Sequence, residues 1–363
     1  MKVLVINPGS TSTKIAVFED EGEEFSKRID HPVKELDRFD RLIDQKSYRK
    51  EKILEALKRA GYDLEDFDAI ACRGGILPPL EGGTYEVNEE MVNYLVNESP
   101  VEHASNLAAV IGYELAKQVK GKNIPVFITD PISVDEMIPE AKLSGIPEIE
   151  RKSYGHYLNM KAVARKVARD KFGKSYDELN FVVVHLGGGI SVAAFERGRV
   201  VDINNANDEG PFSPERTGEL PVGDLVRKAF SGEFEKRELK RRYVGKGGLV
   251  AYLGTNDLRQ AMEMAKEDER ARLVIDAMAY QIAKEIGGMM AVLKGKVDGV
   301  ILTGGMAHNE EFTMKISSYV ERYAPVYVVA GEFEMLALAQ GALRVLWGKE
   351  EAKKWSKEGM KNG

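Results

Sequence analysis

Cysteine is nearly absent from this chain. Cys72 is the only one in 363 residues, so no intrachain disulfide can form, and the expectation is a reducing, cytoplasmic compartment. Long apolar runs are missing as well. None approaches the ~20 residues that cross a bilayer, and the start of the chain lacks the charged, apolar and small-residue regions of a secretory leader. Met1–Ile6 reads instead as a strand. No membrane partner is therefore expected. Basic charge is not in excess: 52 Lys and Arg stand against 58 Asp and Glu, a net charge of −6. That balance speaks against a nucleic-acid partner. The basic run Lys236–Arg242 reads as a solvated helix face. Only five glutamines occur, which with many Lys and Glu hints at heat stability. Low-complexity segments and Pro/Ser/Gly linkers are also absent.

What is present is enough chain for two domains and three segments that recur in the same order. Val3–Phe18 and Phe181–Phe195 each hold an apolar run, a small polar or Gly-rich turn and a second apolar run. Phe67–Gly75 and Val297–Gly305 each read as a short buried strand ending in Gly-Gly. Pro125–Asp130 and Pro325–Ala330 each read as a strand that follows a helical stretch. The implied unit is β-β-β-α-β-α-β-α, used twice in an α/β protein. The two domains are expected at residues 1–150 and 151–334, with a helical tail over 335–363 packing back on the first. Gly-rich strand ends in both halves would line a cleft between the domains.

Asn7-Pro-Gly-Ser-Thr-Ser-Thr-Lys14 lies in a strand-to-strand turn and matches neither a Walker loop nor GxGxxG. Gly9 allows close approach, the turn amides with Ser10, Thr11 and Ser12 can bond phosphate oxygens, and Lys14 adds charge. An ordinary polar hairpin turn is the alternative. His185-Leu-Gly-Gly-Gly-Ile-Ser191 occupies the matching place in the second half. Gly187, Gly188 and Gly189 are costly to order, and a ligand against the backbone explains them; a hydrogen-bonded structural histidine is the rival for His185. Gly304, Gly305 and Asn309 precede a helix and suit either a nucleoside or a capped tight turn. Arg216, in a Gly- and Pro-rich loop, is either an anion clamp or a surface arginine. Arg73 precedes Gly-Gly at a strand end and is expected to face the cleft.

At these residues the sequence resembles the acetokinase family, within the superfamily of acetate and sugar kinases, heat-shock chaperones and actin. Asn-x-Gly-Ser-x-Ser-x-Lys at 7–14 is similar to the family's opening, and His-Leu-Gly-Gly-Gly-x-Ser at 185–191 to its second phosphate loop, with Gly188 in place of Asn. Arg216-Thr-Gly-Glu resembles the Arg-Ser-Gly-Asp loop, and Pro100–Asn106 another family segment. By the same resemblance Asp130, His156 and Glu334 match a catalytic aspartate, a histidine near the transferring phosphoryl group and a metal-associated glutamate. The chain looks most similar to butyrate kinases. Family members usually carry Phe before the central histidine; Gly155 stands there, and the lost ring is expected to enlarge the acyl pocket.

The resemblance implies a duplicated actin-like (ribonuclease H-like) fold and phosphoryl transfer between ATP and a short-chain carboxylic acid. Butyrate or a branched four-carbon acid is the expected acceptor; acetate or propionate is the alternative. It implies that Arg73 and Arg216 meet substrate charge, and that His156 and His185 donate to the phosphoryl oxygens. Asp130 and Glu334 would hold Mg²⁺. Asn7, Ser10, Ser12, Lys14 and Gly187–Gly189 would bind phosphates, and Gly304, Gly305 and Asn309 would line the site for ATP or ADP. A homo-oligomer is implied as well. The rivals are a sugar or polyol kinase, with Asp130 as base, and an actin-like ATP switch.

Overall fold

The computed structural model describes residues 1–357, which divide into two compact units. The first comprises Met1–Asp135 and the chain from Phe333 onward; the second is Glu136–Glu332.

The first unit is built on β1 (Lys2–Pro8), β2 (Ser12–Glu19), β3 (Gly22–Asp30), β4 (Ala69–Cys72), β5 (Thr84–Glu86) and β6 (Val126–Thr129). β1, β2 and β3 form an antiparallel meander. β4 then lies parallel to β1, and β6 parallel to β4. Val3–Ile6 of β1 are fully buried, as a strand covered on both faces requires. Leu4, Ile6, Ile15 and Ile70 share a core with Ile53, Leu57 and Leu107 from the helices Lys46–Arg59 and Asn106–Ala116. The helix Glu334–Leu346 packs on β1, β4 and β6. It sits so close that a Cβ at Gly341 would lie 2.0 Å from Thr129 Oγ1.

The second unit repeats the plan with β7 (Asn180–Leu186), β8 (Ile190–Glu196), β9 (Arg199–Ile203), β10 (Gly299–Gly304) and β11 (Val326–Ala330). Strand order is β3-β2-β1-β4 followed by β6 in the first sheet's parallel half, and β9-β8-β7-β10-β11 in the second. Directions match pair for pair. Helix Tyr157–Val167 packs on β7 and β10, and the 24-residue helix Glu269–Val292 on β7 and β8. The three recurring segments thus form equivalent strands, and the fold is the duplicated actin-like α/β architecture. Among the described residues, no helix is long and apolar enough to cross a membrane.

Two features lie outside the expected pattern. β5 and the two-residue strand Lys353–Lys354 extend the first sheet beyond β6. Residues 136–150 go with the second unit: Glu136 forms a buried ion pair with Lys161 at 2.8 Å, and the Ile138 amide donates to Val201 O. The expected tail over 335–363 begins as the helix Glu334–Leu346 in the first unit; its residues 358–363 lie outside the described part. The basic run Lys236–Arg242 is an exposed helix anchored by Leu239, its one buried residue.

Candidate active site

In the first unit the predicted residues gather at the ends of β1, β4 and β6. The three-residue turn over 9–11 between β1 and β2 leaves Ser10 and Thr11 exposed, while Ser12 is buried. Lys14 pairs directly with Asn7 across the antiparallel ladder, so their side chains share a face. The Asn7 amide donates to Glu334 Oε2 at 3.0 Å, and Arg73 forms an ion pair with Glu334 Oε1. That second contact is a charge pair and not an aligned hydrogen bond. Asp130 is buried in the left-handed region at φ 41°, which Asp tolerates better than most residues. Its Oδ1 accepts the Gly83 amide at 2.8 Å.

Among the described residues no three His, Cys, Asp or Glu side chains gather into a metal cage. Glu334 gives its oxygens to Arg73 and Asn7, and Asp130 gives one to Gly83. This set fits an ion such as Mg²⁺, which substrate phosphate and water hold with help from one or two carboxylates.

In the second unit, His185 ends β7 beside the three glycines. The His156 and His185 rings stack in parallel, with centroids 3.9 Å apart. His156 Nδ1 hydrogen-bonds Ser191 Oγ at 3.0 Å. The Asn159 amide lies 3.1 Å from His185 Nδ1 and 3.2 Å from Thr303 Oγ1. An amide donor on Nδ1 puts the ring proton on Nε2, the nitrogen that faces Gly187. Arg216 lies flat against the glycine turn: a Cβ at Gly189 would fall 2.0 Å from its Nη1. Nη1 donates to Ala206 O at 3.0 Å. Burial pulls the Arg216 pKa down, against Glu215 and Asp208, yet an arginine so placed stays charged. Ser213 Oγ donates to Gly188 O at 2.6 Å and fixes the loop to the turn.

Gly304 ends β10 at φ 93°, and a Cβ there would sit 2.4 Å from Leu186 O; Gly305 has open space. Asn309 caps the helix Glu310–Val320 by accepting the Phe312 amide at 2.9 Å. Its Oδ1 is thereby committed to the cap.

A model of the Acetokinase family matches residues 83–322. A probable butyrate kinase of Thermotoga maritima is 57% identical over 351 residues, 97% of each chain. One from Thermotoga petrophila is 56% identical over 352 residues, 97% of this chain and 98% of that one. The chain belongs to the acetokinase family. The acetate kinase of Porphyromonas gingivalis shares its fold at a TM-score of 0.75 with 21% identity, over 95% of this chain and 99% of that one.

One expectation concerns the space beside Gly155. Replacing the usual Phe by Gly155 does not leave an empty space, because a Cβ at 155 would meet Ile203 Cδ1 at 2.2 Å and Ser191 Oγ at 3.5 Å. Ile203, at the end of β9, fills the position. Two residues also escaped the sequence reading. Asn159, which orients His185, lies among apolar neighbours and carries no motif. Arg49 did leave a signal: with Ile53, Ala56 and Leu57 it falls on the buried stripe of the helix Lys46–Arg59, where an apolar residue is expected.

Arg49 neighbours a second buried polar residue, His31. The His31 ring Nε2 meets Thr13 Oγ1 at 2.8 Å. Burial first, then the Arg49 charge, hold its pKa at about 4 against the ordinary 6.5. A histidine whose folded pKa is depressed is neutral when folded and must not be charged. Its contribution is complete above pH 6.5 and is lost as pH falls toward 4, at about 1.4 kcal/mol per pH unit. Urea midpoints at pH 7 and 4.5 should therefore fall further for the wild type than for His31→Asn. Equal falls would show that His31 does not carry the acid sensitivity.

Proposed function

We propose that this protein transfers the γ-phosphoryl group of ATP to a short-chain carboxylic acid, in either direction, with butyrate or a branched four-carbon acid as acceptor. The observation that carries the choice of acid is the 57% identity to a probable butyrate kinase along 97% of both chains.

The chemistry suits the residues. A carboxylate is ionised at neutral pH, so no general base is required. Its oxygen attacks the γ-phosphorus, the bond to the β,γ-bridging oxygen breaks, and acyl phosphate and ADP result; no proton moves. The difficulty is bringing two anions together, which calls for cations and fixed donors. We assign Arg216 and Arg73 to phosphoryl and carboxylate charge. His185 Nε2–H and His156 donate to phosphoryl oxygens. Asn7, Ser10, Ser12, Lys14 and Gly187–Gly189 position phosphates, and Gly304, Gly305 and Asn309 adjoin the nucleoside. Asp130 and Glu334 would hold Mg²⁺, which neutralises phosphate charge when bound. Glu334, placed by its Arg73 and Asn7 contacts, would offer the ion a carboxylate oxygen.

Hydroxamate formation with MgATP and hydroxylamine, across acetate, propionate, butyrate and isobutyrate, tests the reading; the four-carbon acids should give the highest kcat/KM. Gly155, backed by the buried Ile203, is the wall we assign to the acid's alkyl chain. Gly155→Phe, made with Ile203→Ala to admit the ring, should cut butyrate turnover about tenfold more than acetate turnover, since each lost methylene fit is worth 1–3 kcal/mol. Equal loss for both acids would remove this wall from the acyl site.

A further inference from the structure

We infer that Arg49 is the positioning residue of the β1–β2 turn: a buried cation that turns the backbone amides of Ser10 and Thr11 outward to receive a phosphoryl anion. The inference rests on reading this turn as a phosphate site.

Arg49 is fully buried, and none of its partners is a carboxylate. Nη1 donates to Gly9 O at 2.8 Å, to Ser12 O at 3.1 Å and to Thr13 Oγ1 at 3.3 Å. Nη2 donates to Ser10 O at 2.7 Å, and Nε and Nη2 share Gln45 Oε1 at 3.1 and 2.8 Å. Every acceptor is neutral. Burial lowers its pKa to about 10, so the group is a cation at neutral pH.

In a trans peptide the C=O and the next N–H point in opposite directions. Drawing the carbonyls of Gly9 and Ser10 inward to one guanidinium therefore aims the amides of Ser10 and Thr11 outward. Both residues are exposed, and neither amide has a protein acceptor among the described residues. Two adjacent outward amides at a tight turn make an anion-binding concavity. A buried cation without a counter-ion is costly unless it is compensated, and an anion on the amides directly above it supplies the missing charge. Thr11 O, held by the His31 amide at 2.8 Å, fixes the far side of the turn.

The test compares the wild type with Arg49→Lys, which keeps the charge but loses the fork, and Arg49→Gln, which loses both. Hydroxamate assays are run at least 20 °C below each thermal midpoint, so that global unfolding does not contribute. Arg49→Lys should lower kcat about 10- to 100-fold and Arg49→Gln more than 100-fold, with KM for the acid within about threefold of wild type. A folded Arg49→Lys protein within threefold of wild-type kcat overturns the inference.

A second measurement uses the unaltered protein and needs no turnover. Inorganic phosphate at matched ionic strength should slow hydrogen exchange in the peptide spanning residues 8–13, and Arg49→Lys should weaken that protection. Absence of protection in the wild type overturns the inference even if neither variant folds. A wild type that forms no hydroxamate from any acid, yet shows protection that depends on Arg49, overturns the assigned reaction and leaves the role of Arg49 standing.

Discussion

Arg216→Ala is expected to lower turnover by about a thousandfold or more while leaving the fold in place. The size follows from what the side chain does: an arginine that stabilises charge on a transferring phosphoryl group is worth roughly 10³–10⁵ in rate. The survival of the fold follows from what little else it holds. Among the described residues its side chain makes one hydrogen bond, to Ala206 O, and a single such bond is worth about 1 kcal/mol. Arg216 is half-buried and belongs to no ion pair among the described residues, so its charge is not already spent within the protein. Lysine should restore little, because the planar fork that lies along Gly189 is lost. The checks are kcat under saturating MgATP and acid, and a thermal midpoint within a few degrees of wild type. Near-normal turnover would remove Arg216 from the site.

The second large effect is expected at Gly304. Its φ of 93° lies where L side chains are strained, and an added Cβ would sit 2.4 Å from Leu186 O. The backbone cannot slide away easily, since Gly304 exchanges hydrogen bonds with Gly331 in both directions, at 3.1 and 3.0 Å. Gly304→Ala should cost roughly 3 kcal/mol or more, a fall in midpoint on the order of 10 °C for a unit of this size. Gly305→Ala is the informative neighbour. Nothing lies within 4 Å of a Cβ there, so its stability should stay near wild type. A rise in KM for MgATP in Gly305→Ala alone would then report a nucleotide passing close to that backbone. Equal stability for the two variants would contradict the strain assigned to Gly304.

The fold was legible because its signal is local and repeated. Val3–Ile6 and Phe181–Val184 are runs of the kind that only a strand buried on both faces requires, and Gly-Gly at 74–75 and 304–305 marks strand ends. The same order of segments then dictated the same order of strands. The edge formed by β5 and Lys353–Lys354 was not legible, since its pairing spans more than 260 residues and rests on two residues of strand. The placement of 136–150 was hidden for a similar reason. A Glu136–Lys161 pair and a bond to β9 decide it, and neither leaves a pattern in the local sequence.

Within the site, glycine and arginine positions were readable as motifs, while the residues that hold them were not. Asn159 acts through a ring nitrogen on a different element, a contact that exists only once Tyr157–Val167 packs on β7. Asn309 carried two readings, and its oxygen serves the helix cap. The Gly155 substitution was visible, but its consequence depended on Ile203, 48 positions along the chain. Arg49 was the exception: a charge on an apolar stripe is a readable anomaly, and its explanation is the turn it braces.

The central claim is that a carboxylate oxygen, and not water, accepts the phosphoryl group. Butyrate carrying ¹⁸O in both carboxyl oxygens, incubated with MgATP and hydroxylamine, tests it directly. Hydroxylamine attacks the acyl carbon, so the bridging oxygen of an acyl phosphate leaves with phosphorus. The account predicts butyryl hydroxamate together with inorganic phosphate carrying one ¹⁸O. Unlabelled phosphate, released without hydroxamate, would mean that water is the acceptor and would contradict the account.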